Sequence, residues 1–324
     1  MISGQTSWPS CSARGRSVAK PRNDSFSIGD QIVWRQNEDK FRLNKSRDSL
    51  LAAVSDGAGG TGLFCGAWAE TLVSRLPGRP IVGINELNRW LDGFCLSFRS
   101  DYAQRAKSQP VKHAKFVKEG SCATLAACWL SFLRGRAVMR WLGYGDSQIM
   151  VFDRTGPRPI LTTSYPSTLS DLGRTPALLN WKDLPDKAKL STGVVTLPAR
   201  ATIAVASDGI GQYLLLRYLA LHAPGASNSK MAEAFSRLAE GDSKLGDAIR
   251  AQRKQAQEPF ARVLDALRQA LKSDQAFLAY VRARHREGLL ANDDATLLLI
   301  DIDTTEPPQM AGSGAKQPLR GSTG

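Results

Sequence analysis

The segment Leu50-Leu51-Ala52-Ala53-Val54-Ser55-Asp56-Gly57-Ala58-Gly59-Gly60 sets a short, continuous apolar run directly before one carboxylate and a glycine-rich turn. Such a run predicts a buried strand, and the glycines predict an abrupt turn at its end. Asp56 then projects from the strand tip, where Gly57, without a Cβ, lets another group approach the backbone closely. The same arrangement recurs at Ile203-Ala204-Val205-Ala206-Ser207-Asp208-Gly209. Two strands that each end in Ser-Asp-Gly point to two carboxylates delivered to one place. Clustered carboxylate oxygens suit hard cations such as Mg2+ or Mn2+.

Composition narrows the alternatives. At 324 residues and 42% hydrophobic content, the chain can bury a large core in one domain or two. Its apolar stretches, such as Thr124 to Leu133, fall far short of the roughly 30 Å of a bilayer. Met1 to Ser17 is polar and has no apolar core of a secretory signal, so none is expected. The five cysteines (Cys11, Cys65, Cys95, Cys122 and Cys128) lack paired Cys-x-x-Cys spacing, and a reducing cytoplasm is the expected compartment. Three histidines (His113, His222 and His285) form no metal or triad pattern, which argues against zinc. The formal net charge of +13 could attract nucleic acid. The basic residues are spread along the chain without interleaved aromatics, so a solvated basic surface is expected and nucleic-acid binding is not.

Taken in order, residues 1–25 mix Ser, Arg, Pro and Gly and predict a flexible N-terminal arm. Phe26 to Trp34 predicts a strand, and Lys40 to Arg47 a polar connection. Leu63, Phe64, Ala67, Trp68, Thr71, Leu72 and Leu76 share one helical face that Pro77-Gly78 closes. Asn85 to Lys107 carries the clearest helical stripe, read as a core-facing surface. Ser121 to Phe132, Ala137 to Gly143 and Gln148 to Asp153 predict three strands in an antiparallel meander, with turns at Arg134-Gly135 and Gly145-Asp146-Ser147. Residues 162–200 lose periodicity, and an irregular segment of that length inside a domain is often functional. Residues 229–290 read as basic helices covering a sheet, and Ala295 to Ile302 as the last strand. Residues 304–324 have the composition of a disordered tail.

Four acidic motifs therefore fall at strand ends or turns: Glu38-Asp39, Asp56, Asp208 and Asp293-Asp294. With their neighbours they form an ordered series: Asn37-Glu38-Asp39, Asp56-Gly57-Ala58-Gly59-Gly60, Gly120-Ser121-Cys122-Ala123, Gly145-Asp146-Ser147, Ser207-Asp208-Gly209 and Asp293-Asp294-Ala295-Thr296. In this series the chain resembles the bacterial-type members of the PPM (type 2C) metal-dependent serine/threonine phosphatases, from about residue 26 to 303. The resemblance implies an α+β fold, a four-layer α-β-β-α sandwich of two mainly antiparallel sheets flanked by helices. It implies one catalytic domain over 26–303, with 162–200 as a flap and 229–290 as a helical insertion.

The resemblance also implies a site holding two Mn2+ or Mg2+ ions, with a weaker third in some members. Asp56 is expected to bridge the two ions, Asp208 and Asp293 to bind one, and Glu38 with the Gly57 carbonyl the other. Asp39 is expected close by, and Asp146 with Asp208 beside the third. A water bridging the ions would attack phosphoserine or phosphothreonine of a phosphoprotein substrate without a phosphoenzyme, opposing a serine/threonine kinase. Several carboxylates meeting without metal would repel one another, which gives independent reason for cations there.

The departures are specific. Ala58 stands where some relatives carry a histidine, Cys122 where a Thr is usual, and Gln148 where an Arg is common. Arg35 precedes Glu38 by three positions rather than the family's four, which leaves it a weak phosphate-binding candidate. Asn23-Asp24 also resembles the first motif, so Asp24 competes with Glu38 and Asp39 for the first ligand position. The alternative function is a pseudophosphatase that binds a phosphoprotein without hydrolysing it.

Overall fold

The computed structural model describes residues 10–21, 26–28, 31–33, 37–46, 49–133, 136–222, 229–241, 243–255 and 257–305. In chain order the first strands are β1 (Ser10–Val18), β2 (Phe26–Ile28), β3 (Gln31–Val33), β4 (Lys40–Lys45) and β5 (Ser49–Ser55). Helices α1 (Cys65–Arg75), α2 (Ile84–Asp92), α3 (Cys95–Ala106) and α4 (Pro110–Glu119) follow. Then come β6 (Cys122–Ala123), β7 (Leu125–Leu133), β8 (Arg136–Tyr144), β9 (Gln148–Asp153), β10 (Ile160–Tyr165), β11 (Leu179–Asn180), β12 (Ser191–Thr196) and β13 (Arg200–Ala206). The chain continues with α5 (Asp208–His222), α6 (Ser229–Glu240), α7 (Lys244–Gln255), α8 (Phe260–Ala270) and α9 (Asp274–Arg286), and ends on β14 (Ala295–Asp303).

Two five-stranded antiparallel sheets carry the fold, in the orders β1-β14-β13-β9-β10 and β12-β8-β7-β5-β4. Side-chain alternation explains their stacking. On β5 and β7, Leu50, Ala52, Val54, Ala126, Cys128 and Leu130 face Ile203, Val205, Leu298 and Ile300 of the other sheet in a closed inter-sheet core. The opposite faces meet helices. Leu51, Ala53 and Trp129 pack with Trp68, Leu72 and Phe98 of α1 and α3. Ala204, Leu297 and Leu299 pack with residues of α5 and α7–α9 such as Leu214, Ile249, Leu264 and Phe277. The layers are thus α-β-β-α, as the resemblance implies, and of the helices in 229–290 α9 lies on β1 while α7 packs against α5 and α6 against α7. Among the described residues, no helix is long and apolar enough to cross a membrane.

Several sequence expectations require correction. Ser10–Val18 is no loose arm: it pairs along its whole length with β14. Its core-facing residues are small (Cys11, Ala13), and a Cβ on Gly15 would lie 2.1 Å from Leu298 Cδ2. Arg14 and Arg16 turn outward, and Arg16 Nε pairs with Asp274 at 2.9 Å. A strand built from small residues and arginines leaves no apolar alternation to read. Lys40 to Arg47 is also not a mere connection, since Lys40–Lys45 forms β4 against β5. There Phe41 and Leu43 face the core, while Arg42 caps α1 through the Ser74 and Leu76 carbonyls at 2.9 Å.

Phe26 to Trp34 is not one strand but the short pair β2–β3. The long helix expected over Asn85 to Lys107 breaks at Gly93-Phe94, yet Phe94 and Phe98 both reach Trp68, with centroids 5.6 and 4.8 Å away. The aromatic stripe survives the break, so periodicity alone could not reveal it. The meander also fails after β8. At Gly145 (φ 99°) the chain leaves one sheet, and β9 pairs with β10 and β13 of the other. Within 162–200, β12 forms an edge strand on β8.

Candidate metal and phosphate site

Strand pairing brings the acidic motifs to one end of the sandwich. Lys40 pairs with Ser55, so Asp39 and Asp56 lie side by side at the ends of β4 and β5. In the other sheet Ala206 pairs with Leu297 and with Gln148, which sets Asp208, Asp293 and Asp146 around the end of β13. Hydrogen bonds fix these strand ends within each sheet, and Thr124–Ser147 links the two. Asp56 N–H donates to Thr124 Oγ1 (3.1 Å), Thr124 N–H donates to the Asp56 carbonyl (2.9 Å), and Thr124 Oγ1 meets Ser147 Oγ at 2.6 Å. Ser207 N–H donates to the Thr296 carbonyl, and Thr296 N–H returns a bond to Ser207 Oγ, both at 3.0 Å.

The glycines of the first turn have distinct duties. A Cβ on Gly57 would stand 2.8 Å from the Cys65 carbonyl carbon and the Gly66 nitrogen, so α1 can start directly beneath Asp56 only because Gly57 is bare. A Cβ on Gly59 would stand 2.1 Å from Glu38 Oε2, so Gly59 leaves the space that the Glu38 carboxylate occupies. Asn37 fixes the Asn-Glu-Asp turn by accepting the Asp39 N–H (2.9 Å) and donating to Ser17 Oγ of β1 (2.8 Å).

Asp294, part of the last acidic motif but given no role of its own by the sequence, is a positioning group. Its oxygens accept the N–H of Lys20 (3.0 Å) and of Glu38 (2.8 Å), tying the end of β1 and the Glu38 backbone to the start of β14. Lys20 was missed altogether: its Nζ lies 2.9 Å from Asp293 Oδ1. Recognising it required knowing that β1 is a strand running to this end of the sheet. Lys40, in contrast, spends its ammonium on the carbonyls of Asn37 and Asp39, at 2.7 and 3.0 Å. Arg35 and Asp24 lie outside the described residues.

Burial and mutual repulsion dominate the electrostatics. Burial first, then the charges of Asp39, Asp208 and Asp293, push the Asp56 carboxyl well above the usual range. Burial, with Asp146, Asp293 and Asp39 adding to it, raises Asp208 to about 8. Asp39 and Asp146 rise to about 6, each mainly by burial, with Asp294 adding to the first and Asp293 to the second. Glu38 is raised by burial and then by Asp294, against the pull of Lys20.

Asp39 is almost inaccessible, at 2% exposure. Both its carboxylate oxygens are buried without a hydrogen bond of good geometry, although the Ser207 and Thr296 hydroxyls and the Asp56 carboxyl stand close. A buried carboxylate left so under-satisfied is costly unless a cation joins it. The donors are all oxygen, which suits Mg2+ or Mn2+ and not a thiophilic ion. Among the described residues, no three His, Cys, Asp or Glu side chains are already drawn together as a metal cage. The donor chemistry fits such an ion.

No protein-family model and no curated protein matches the sequence. Among solved structures, the chain is similar to a serine/threonine phosphatase of S. agalactiae, at 14% identity and a TM-score of 0.45, over 91% of this chain and 100% of that one. It is similar to the Mycobacterium tuberculosis serine/threonine phosphatase PstP/Ppp at 14% identity and a TM-score of 0.41, over 90% and 99% of the two chains. The catalytic domain of PstP in complex with two manganese ions gives 16% identity and a TM-score of 0.37, over 90% and 100%. At these scores the chemistry has to be read from this chain's own residues.

Proposed function

We propose that this chain is a metal-dependent phosphoprotein phosphatase of the PPM type, acting on phosphoserine or phosphothreonine. The observation that carries the reading is the set of buried, mutually repelling carboxylates (Asp39, Asp56, Asp146 and Asp208) gathered from separate strand ends with too little positive charge to balance them. In this reading Asp56, Asp208 and Asp293 would hold one Mn2+ or Mg2+ ion, and Asp56 with Glu38 and the Gly57 carbonyl the other. Asp39 holds its place beside them, and Asp146 with Asp208 offers a weaker third position. Bound divalent ions would supply an activated water and charge to hold phosphoryl oxygens.

The chain's own residues do the remaining work. Thr124 and Ser147 lock the Asp56 and Asp146 turns together, so the carboxylates of the two sheets keep their relative positions. Asp294 holds Glu38 and Lys20 by their backbones. Lys20, paired with Asp293 at 2.9 Å, brings an ammonium to the edge of the carboxylates and is a second phosphate-binding candidate beside Arg35. Cys65 and Cys122 border the glycine turn, but burial pushes the Cys65 thiol up to about 12 and raises Cys122 as well. Neither is a ready thiolate nucleophile, which fits hydrolysis by water rather than through a phosphocysteine.

Calorimetric titration with Mn2+, paired with phosphate release from a phosphoserine peptide, tests this reading. Two ions per chain and peptide turnover, both lost in Asp56→Asn, are expected. A folded protein that binds no divalent ion would overturn it.

A further inference from the structure

The mechanism leaves one large feature unused. A cavity of about 980 Å3 lies between α5, the insertion helices α6 and α7, and the 3-10 turn Leu169–Gly173 of the flap segment. Its walls are largely apolar, with Leu172, Leu216, Leu238, Leu245 and Leu290 prominent. Gly209 and Ala291 are also among the lining residues. Gly209 follows Asp208 directly, and a Cβ built on it would stand 3.6 Å from Asp293 Cβ and 3.4 Å from the Asp294 carbonyl oxygen. Gly209 therefore borders both the cavity and the carboxylates.

The volume lies at the upper end of the roughly 300–1,000 Å3 typical of ligand sites. It is too large for a single side chain. A free apolar molecule would gain nothing from lying against the carboxylates. A peptide whose phosphorylated side chain sits at those carboxylates is different, because successive Cα atoms are only about 3.8 Å apart. The neighbours of the phosphorylated residue then lie within reach of the cavity beside Gly209, where burial of apolar surface would add to binding.

We propose that this cavity receives apolar side chains adjacent to the phosphorylated residue of a phosphoprotein substrate. The chain thereby prefers phosphosites flanked by residues such as Leu, Ile, Phe or Met. The proposal rests on the phosphatase reading above and narrows its substrate class. It assigns a selecting role jointly to the flap turn and the helical insertion, through Leu172 on one and Leu238 and Leu245 on the other.

The test compares two fluorescein-labelled phosphoserine peptides that differ only in having Leu or Gly beside the phosphoserine. Wild-type protein is set against Ala248→Phe and Ala251→Phe, two substitutions that add bulk to the cavity wall at separate points. Wild type should favour the Leu peptide by about tenfold or more in kcat/KM. Either filled variant should bring that ratio close to one and leave p-nitrophenyl phosphate hydrolysis unchanged. Equal turnover of the two peptides by wild type, or a preference that survives in both folded variants, would overturn the proposal. Should p-nitrophenyl phosphate not be hydrolysed at all, the phosphatase reading falls, and fluorescence anisotropy on the same peptides judges the cavity. Equal affinities there overturn it too.

Discussion

Replacing Asp208 with Asn should stabilise the metal-free protein while destroying its response to metal. In the folded chain Asp208 is pushed from an ordinary 3.8 up to about 8, by burial and by Asp146, Asp293 and Asp39. At pH 7.5 the unfolded chain would ionise this group freely, so folding must hold it protonated at a cost of at most about 5 kcal/mol. The repulsion is shared among neighbours that titrate together, so a gain of about 2 kcal/mol is the working expectation. Asn keeps the oxygen that accepts the Gly209 N–H, so the turn survives the substitution. For a chain of this size the gain corresponds to a rise in Tm of roughly 3 °C in EDTA. Differential scanning fluorimetry in EDTA and in excess Mn2+ reads both halves of the prediction. Wild type should gain stability on adding Mn2+, and Asp208→Asn should gain much less. A variant that melts below wild type in EDTA at pH 7.5 would refute the reasoning, because Asp208 would then be making net favourable contacts.

Three other outcomes follow from the same geometry. The acids are raised in the fold, so their contribution favours the native state at low pH and is lost as pH climbs through about 6 for Asp39 and Asp146 and about 8 for Asp208. Metal-free Tm should therefore fall between pH 5 and pH 8.5, and saturating Mn2+ should flatten or reverse that slope. Gly59→Ala would drive a Cβ into Glu38 Oε2, and should weaken Mn2+ binding by about tenfold or more in calorimetry with little change in Tm. Lys20→Met should raise KM for a phosphopeptide and lower the Mn2+ concentration needed for half-activity, since its ammonium no longer competes for Asp293. Unchanged KM and unchanged metal dependence would remove Lys20 from the site.

What the sequence made legible, and what it hid, follows from side-chain size and charge. Asp56, Asp208 and Asp293 stand beside strands whose inward and outward faces are both buried, and a continuous apolar run that meets an acid is readable at once. Asp146 was readable from its glycine turn, although the change of sheet there was not, because a turn looks the same whichever sheet receives the next strand. β1 and β4 were hidden because arginines and lysines occupy their outer faces, and those of Arg14, Arg16 and Arg42 reach helix-layer groups rather than only water. Lys20 was lost with β1. α4 was invisible for a simpler reason: Phe116 is its one deeply buried side chain, too little to make a stripe.

The most direct test follows p-nitrophenyl phosphate hydrolysis as Mn2+ is titrated into metal-free wild type and into Asp208→Asn. The account predicts turnover that rises from baseline with Mn2+, saturates, and is nearly abolished by the substitution while the protein stays folded. Hydrolysis that persists in EDTA, or no hydrolysis at any Mn2+ concentration by a protein that melts cooperatively, would contradict it.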